Sequence, residues 1–281
     1  MSRRRSFVLA AVAVIAVLAV GCSDGDDSAD GGDDTTTTEP TTTSAAAEVL
    51  TILVANDDGY DAEGIDAVVR ALSELPDTEV VVAAPAENQS GSGSKTTEGE
   101  LPTAEVETLS GHPATAVTGF PADSVVWALD GGIDVTPDLV VTGINEGQNL
   151  GFLGDQVSGT VGAARVAAAR GIPALAASSA ENDATDYDLA AEYVVDWVEE
   201  HRQALLDGEL TGTELLLQNL NVPACTAGEL RGLVELPMSS SSDGAYQDPD
   251  CTSTLEDPAD DIAGFNNGFV VISDLTLEPA A

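Results

Sequence analysis

Leu50-Thr51-Ile52-Leu53-Val54-Ala55-Asn56-Asp57-Asp58-Gly59 joins a nearly continuous apolar run to two adjacent carboxylates and a glycine. Six residues of that character, without polar alternation, predict a strand buried on both faces. Strands of this kind belong to parallel sheets covered on both sides. Their carboxyl ends are where open α/β sheets bind ligands. Asn56 to Gly59 therefore leave the sheet at its functional edge.

The pattern continues outward from this strand. Asp61 to Leu75 places Ile65, Val68, Val69, Leu72 and Leu75 on one helical stripe. Glu79 to Ala84 predicts a second buried strand, stopped by Pro85, and Ser124 to Leu129 a short helix. Asp138 to Thr142 predicts a third strand, and the Ala-rich Val161 to Arg170 a helix closed by Gly171 and Pro173. Ala174 to Ala177, a long helix over Tyr187 to Leu206, Leu215 to Val222 and Phe269 to Asp274 complete the set. Alternating strands and helices imply an α/β domain, with a mostly parallel sheet and helices on both faces. Cys225 to Phe265, rich in Ser, Asp, Pro and Gly, predicts an irregular C-terminal excursion.

Three strand ends carry chemistry. Asp57 and Asp58 suit a hard divalent cation, because Mg²⁺ or Mn²⁺ needs only one or two carboxylates beside water and substrate oxygens. The same Asx-Asp-Gly pattern is also ordinary turn chemistry. The second strand leads to Ser90-Gly91-Ser92-Gly93-Ser94, a loop able to cradle an anion or simply to bend. The third ends in Gly143-Ile144-Asn145-Glu146-Gly147-Gln148-Asn149-Leu150-Gly151, where Asn145 offers a neutral oxygen. Ser158-Gly159-Thr160 precedes the Val161 helix, so its free N–H groups and dipole predict a phosphate seat, compatible with N-capping by Thr160.

Taken in order, Asn56-Asp57-Asp58-Gly59, Ala84-Pro85 with Ser90-Gly91, Gly119-Phe120-Pro121-Ala122-Asp123, Pro137 to Asn145, Asn149-Leu150-Gly151, Ser158-Gly159-Thr160-Val161 and Gly171-Ile172-Pro173-Ala174 resemble the SurE-type survival-protein nucleotidases. The resemblance spans Leu50 to Pro223, with a weaker echo at Asp261 to Leu275. It implies a Rossmann-like fold and hydrolysis of nucleoside 5′- and 3′-monophosphates, with one divalent ion (Mg²⁺ or Mn²⁺) as cofactor. It assigns Asp57, Asp58, Ser90 and Asn145 as metal ligands, with Asp57 and Asp58 catalytic. Asn56, Asn149, Ser158, Gly159 and Thr160 fall at positions that line the substrate and phosphate site. Homodimers or tetramers are also implied. The chain departs from the family pattern at Ala55, Val157 and Val166-Ala167, usually Ser, Tyr and Glu-Gly. The alternative is a non-catalytic nucleotide- or phosphate-binding lipoprotein that keeps the fold. No His lies in these motifs, so a phosphohistidine route is not expected, and attack by an activated water is the expected mechanism.

The N-terminus sets the compartment. Arg3-Arg4-Arg5 precede the apolar Phe7 to Val20, a stretch short for a bilayer span and right for a signal peptide. Ala19-Val20-Gly21-Cys22 resembles a lipobox, and Arg4-Arg5-Ser6-Phe7-Val8 a twin-arginine motif. The organisation predicted is a signal peptide over 1–21, then lipidated Cys22 with an acidic, Thr-rich spacer to residue 48. A phosphatase domain follows over 49–281. The protein is then exported and membrane-anchored, with an uncleaved anchor as the rival reading. Cys225 and Cys251 remain, either as one disulfide or as two thiols. His112 and His201 are not spaced as zinc ligands. With 49 acids against 9 Lys and Arg, a net −40, the chain has no basic footprint for a nucleic-acid polymer.

Overall fold

The computed structural model describes residues 48–279. The expected signal peptide, Cys22 and all but the last residue of the spacer lie outside the described residues. One sheet of nine strands organises what is described, in the order β3-β4-β2-β1-β5-β6-β7-β9-β8. The strands are β1 (Leu50–Ala55), β2 (Thr78–Pro85), β3 (Thr103–Glu107), β4 (Pro113–Val117), β5 (Leu139–Glu146), β6 (Ala174–Ser179), β7 (Leu217–Val222), β8 (Leu233–Glu235) and β9 (Val270–Asp274). β1 pairs in parallel with β2 and with β5, and β5, β6 and β7 continue in parallel. Only the β3–β4 and β7–β9 pairings are antiparallel.

Period-two burial explains why β1 reads as continuously apolar. Leu50, Ile52 and Val54 enter one core, and Leu53 and Ala55 the other. The first core receives α1 (Glu63–Ser73) through Ile65, Val68, Val69 and Leu72. It also receives α5 (Tyr187–Leu206) through Ala190, Ala191, Val194, Trp197 and Val198. Across the sheet, α2 (Pro121–Trp127) brings Val125 and α4 (Gly159–Ala169) brings Val161, Ala163, Ala164, Ala167 and Ala168. Alanines on α4 let it lie close to the strands. The sheet is thus mostly parallel with helices on both faces, as the sequence implies.

Sequence and structure part in three places. Thr103–Glu107 and Pro113–Val117 form an unpredicted hairpin, because Val106 is the sole large apolar residue of an edge strand whose residues are mostly exposed. A short helix, α3 (Gly151–Val157), fills the stretch before Ser158. The supposedly irregular excursion holds β8, a helix α6 (Asp261–Asn266) and a third core of Leu150, Ala180, Ala224, Ala245, Ile262, Phe265, Phe269 and Val271. Cys225 and Cys251 are bonded as a disulfide, with 5.7 Å between their Cα atoms. Of the two open readings, the bridge is the one present.

Candidate active site

β1 lies between β2 and β5, so successive connections leave it in opposite directions. That is the topological switch point of a doubly wound sheet, where a crevice opens between adjacent carboxyl ends. Asp57 and Asp58 stand at the end of β1, and Asn145 and Glu146 at the end of β5. The β5–β6 register shifts between Thr142 and Asn145. Gly143 makes that shift feasible: its φ is +128°, and a Cβ there would meet the Ala177 carbonyl oxygen at 2.1 Å. Such irregularities beside active sites redirect a side chain.

Asp57 is 2% exposed. Its Oδ1 accepts from the Thr160 hydroxyl at 2.6 Å, and the Gly159 and Thr160 N–H groups face the same carboxylate. Burial pushes its pKa up, against these bonds. Asp58 is half-buried. It accepts from the Glu146 N–H at 2.9 Å and from Asn88 Nδ2 at 3.0 Å. Its pKa is pushed up to about 6, by burial first and also by the charges of Asp57 and Glu146. Asn145 donates through Nδ2 to the Glu146 and Gly147 carbonyls, and among the described residues no donor reaches its Oδ1. That leaves the amide oxygen as its free end. Ser90 is exposed and follows Asn88 and Gln89, which bind Asp58 and the Asp57 carbonyl; its N–H donates to Asn88 Oδ1 at 3.0 Å. Two carboxylates, an amide oxygen and a hydroxyl are the hard oxygen donors a divalent cation takes. Among the described residues, no three of His, Cys, Asp and Glu gather as a metal group. Neutral oxygens must therefore complete any cation shell here.

Four expected substrate contacts have other roles in the structure. Asn56 is fully buried and spends both ends of its amide on Gly59, donating to its carbonyl at 2.8 Å and accepting its N–H at 3.2 Å. It holds the turn that presents the two carboxylates. α4 begins at Gly159, two residues before the prediction, and its cap is Ser158, whose Oγ accepts from the Val161 N–H at 3.1 Å. Thr160 is not the cap. The N–H groups of Gly159 and Thr160, expected to seat phosphate, face Asp57. A helix N-terminus favours any nearby anion, and the chain supplies its own. Gly159 is needed for that approach, since a Cβ there would lie 2.7 Å from Asp57 Oδ2. Asn149 sits beside the site with Nδ2 on the Ser178 hydroxyl at 2.9 Å, while its carbonyl accepts from Asn219 and Asn221.

Residues the sequence did not mark also belong to this neighbourhood. Asn88 and the Glu146 N–H orient Asp58. Tyr187, at the start of α5, has its phenol pKa raised by burial and by Glu146 and Asp58, which places it in their field. Gln148 donates to the Ala245 carbonyl at 3.2 Å and so ties the C-terminal excursion to the loop between Asn145 and Asn149. Neither Asn88 nor Gln148 carries a pattern that a single sequence distinguishes from loop polarity.

The fold and site define a class: a doubly wound α/β protein with paired carboxylates at its switch point, where such sheets bind ligands. The family model described as Survival protein SurE matches residues 52–244. A 5′-nucleotidase SurE of Polaromonas naphthalenivorans is 37% identical over 187 residues, covering 65% of this chain and 69% of that protein. Another, from Chloroflexus aggregans, is 42% identical over 184 residues, covering 65% and 70%. The crystal structure of the SurE protein from Aquifex aeolicus aligns with a TM-score of 0.65 at 28% identity, over 82% of this chain and 94% of that one. The chain belongs to the SurE family.

Proposed function

We propose that this chain is a phosphoric monoester hydrolase of the 5′-nucleotidase type, which cleaves nucleoside 5′- and 3′-monophosphates with the help of one divalent cation. The observation that carries the reading is the meeting, at the switch point, of Asp57 and Asp58 just past β1 with the end of β5, where the Glu146 N–H binds Asp58 and Asn145 keeps a free amide oxygen. The names of the relatives support the same activity. Asp57, Asp58, Asn145 and Ser90 are the residues that would hold the cation. When bound, Mg²⁺ or Mn²⁺ supplies the Lewis acidity that phosphoryl transfer requires.

The chain's own residues divide the remaining tasks. Thr160 and the α4 N-terminus fix the Asp57 carboxylate in one orientation. Asn88 and Glu146 do the same for Asp58 through both its oxygens, leaving it the more accessible of the two. Asn149 lines the approach from the β5 side.

An extracytoplasmic, membrane-anchored location is part of this proposal. The Cys225–Cys251 disulfide supports it, because such bonds persist in oxidising compartments. The anchor proposed is lipid on Cys22, which closes the lipobox-like Ala19-Val20-Gly21-Cys22. Assembly into dimers or tetramers belongs to the same proposal.

The test is Asp57→Asn in the full-length chain. Wild type, chelated and then given Mn²⁺ or Mg²⁺, releases phosphate from adenosine 5′-monophosphate, and the variant releases none above background. Full turnover by the variant, or wild-type turnover that survives chelation, overturns the assignment.

A further inference from the structure

The end of β5 carries an acid that the cation assignment does not use. The Glu146 N–H orients Asp58, but the Glu146 carboxylate is exposed and has no hydrogen bond or ion pair among the described residues. Its charge nonetheless acts on Asp58, so the two carboxylates are neighbours. Beside them stands Tyr187, the first residue of α5, which is half-buried.

The fold fixes where Tyr187 sits. Asp186 caps α5 by accepting from the Leu189 N–H at 3.0 Å, and the Thr185 hydroxyl donates to the Ala180 carbonyl at 2.6 Å. The ring packs on Gly64: a Cβ there would lie 3.3 Å from Tyr187 Cε1 and 1.9 Å from the Ile144 carbonyl oxygen. Tyr187 is thus wedged against β5 two residues before Glu146. Burial, and then the charges of Glu146, Asp58, Glu63 and Glu181 in that order, raise its pKa. The phenol therefore keeps its proton at neutral pH and is a donor, yet it makes no hydrogen bond among the described residues. Glu146 and Tyr187 stand close enough for charge to act between them and do not bond each other.

We propose that Glu146 and Tyr187 form a sugar subsite, which binds the 2′- and 3′-hydroxyls of a nucleoside 5′-monophosphate while its phosphate lies at Asp57, Asp58 and Asn145. This rests on the nucleotidase reading above.

The chemistry of the pair favours a diol over a second cation. Among the described residues, no three of His, Cys, Asp and Glu gather as a metal group. A protonated phenol offers a cation nothing, whereas a diol donates to the carboxylate and accepts from the phenol. In doubly wound nucleotide-binding sheets, an acidic side chain near the phosphate site accepts from a ribose hydroxyl. The sugar hydroxyls of a 5′-monophosphate lie one ring away from the ester. A subsite one residue past Asn145 and beside Asp58 meets them there.

The experiment compares wild type, Glu146→Gln, Tyr187→Phe, the double variant and Glu181→Gln in the full-length chain with Mg²⁺. It measures kcat/KM for adenosine 5′-monophosphate and for 2′,3′-dideoxyadenosine 5′-monophosphate, which lacks both hydroxyls. Glu146→Gln keeps the N–H that binds Asp58, and Tyr187→Phe keeps the ring on Gly64. Wild type should prefer the ribonucleotide about 30-fold. Each single variant should cut that preference about fivefold, and the double variant should abolish it. Glu181, whose Oε2 lies 3.9 Å from where a Gly147 Cβ would sit, supplies the control. Glu181→Gln removes an equal charge from the same rim and should keep the wild-type preference. A wild type that does not distinguish the two substrates overturns the proposal, and so does either single variant with the full preference. An equal loss on both substrates also overturns it, since the pair would then serve the cation or Asp58. A matching fall in Glu181→Gln does the same, because charge alone would set the preference. If wild type hydrolyses neither nucleotide, the nucleotidase reading falls, and the same comparison made on calorimetric Kd values decides the subsite.

Discussion

Gly159→Ala sets two physical effects against each other at one atom. Gly159 is the first residue of α4 and is buried, and it does not have the positive φ that would strain an alanine. By helix propensity alone the substitution stabilises by about 0.5–1 kcal/mol. The added methyl, however, would sit 2.7 Å from Asp57 Oδ2, 2.9 Å from Asp57 Cβ and 2.9 Å from Ser92 Oγ. Relieving those contacts to an ordinary separation takes a displacement of about 0.7 Å, and overpacking of this kind costs about 1–3 kcal/mol. The net loss of stability is therefore at most about 2.5 kcal/mol, or up to ~10 °C in Tm for a domain of this size. The displaced side chain is Asp57. A shift of that size in a reacting group should cost about 30- to 100-fold in kcat/KM. Thermal unfolding by circular dichroism, together with phosphate release at saturating Mg²⁺, reads both numbers. A variant that keeps wild-type kcat/KM would show that Asp57 need not be held where the structure holds it. A variant that fails to fold would show that the contacts are less yielding than an aspartate side chain allows.

Two further outcomes follow from parts of the fold away from the reacting atoms. Asp66 accepts from the Thr108 hydroxyl and the Ser110 N–H, both at 2.7 Å, and from Arg70, tying the β3–β4 turn to α1. Burial raises its pKa, but these bonds outweigh it and the net shift is downward. Its contribution to stability is therefore present above the unfolded carboxylate pKa and lost as pH falls below about 4. Asp66→Asn should cost about 1–2 kcal/mol in urea unfolding at pH 7 and less at pH 3; an equal cost at both would refute this. The disulfide closes a loop with a sequence separation of 26. Replacing both Cys225 and Cys251 with Ser should lower stability by about 3 kcal/mol, measured in the same unfolding assay, and an unchanged midpoint would mean that the third core holds the excursion unaided.

The fold was readable where burial on both faces leaves no ambiguity. β1 and α5 fall on the residues the sequence marks, because continuous apolarity and a long helical stripe each permit one reading. The β3–β4 hairpin was not readable, since Thr103–Glu107 is held by backbone pairing to β4 and buries almost nothing. The C-terminal excursion was missed for another reason. Its core is assembled from distant residues, Leu150 against Ile262 and Phe265, and no local periodicity announces it. At the site, the sequence marked residues that the structure gathers at one edge of the sheet but could not rank their partners. Asn56 and Thr160 are polar residues in a motif, and only geometry shows that one clamps a turn and the other holds a carboxylate.

That difference changes what the acidity means at the site. Two adjacent carboxylates repel, and burial raises the pKa of both. The chain meets this unequally. Asp57 receives a hydroxyl and a helix N-terminus, which fix it and nearly close it to solvent. Asp58 receives one N–H and one side-chain amide and stays partly open. A helix N-terminus can compensate one anion well, and spending it on Asp57 removes it as a phosphate seat. On the proposed function, the positive charge for a phosphorylated substrate then comes from the cation that Asp57, Asp58, Ser90 and Asn145 would hold.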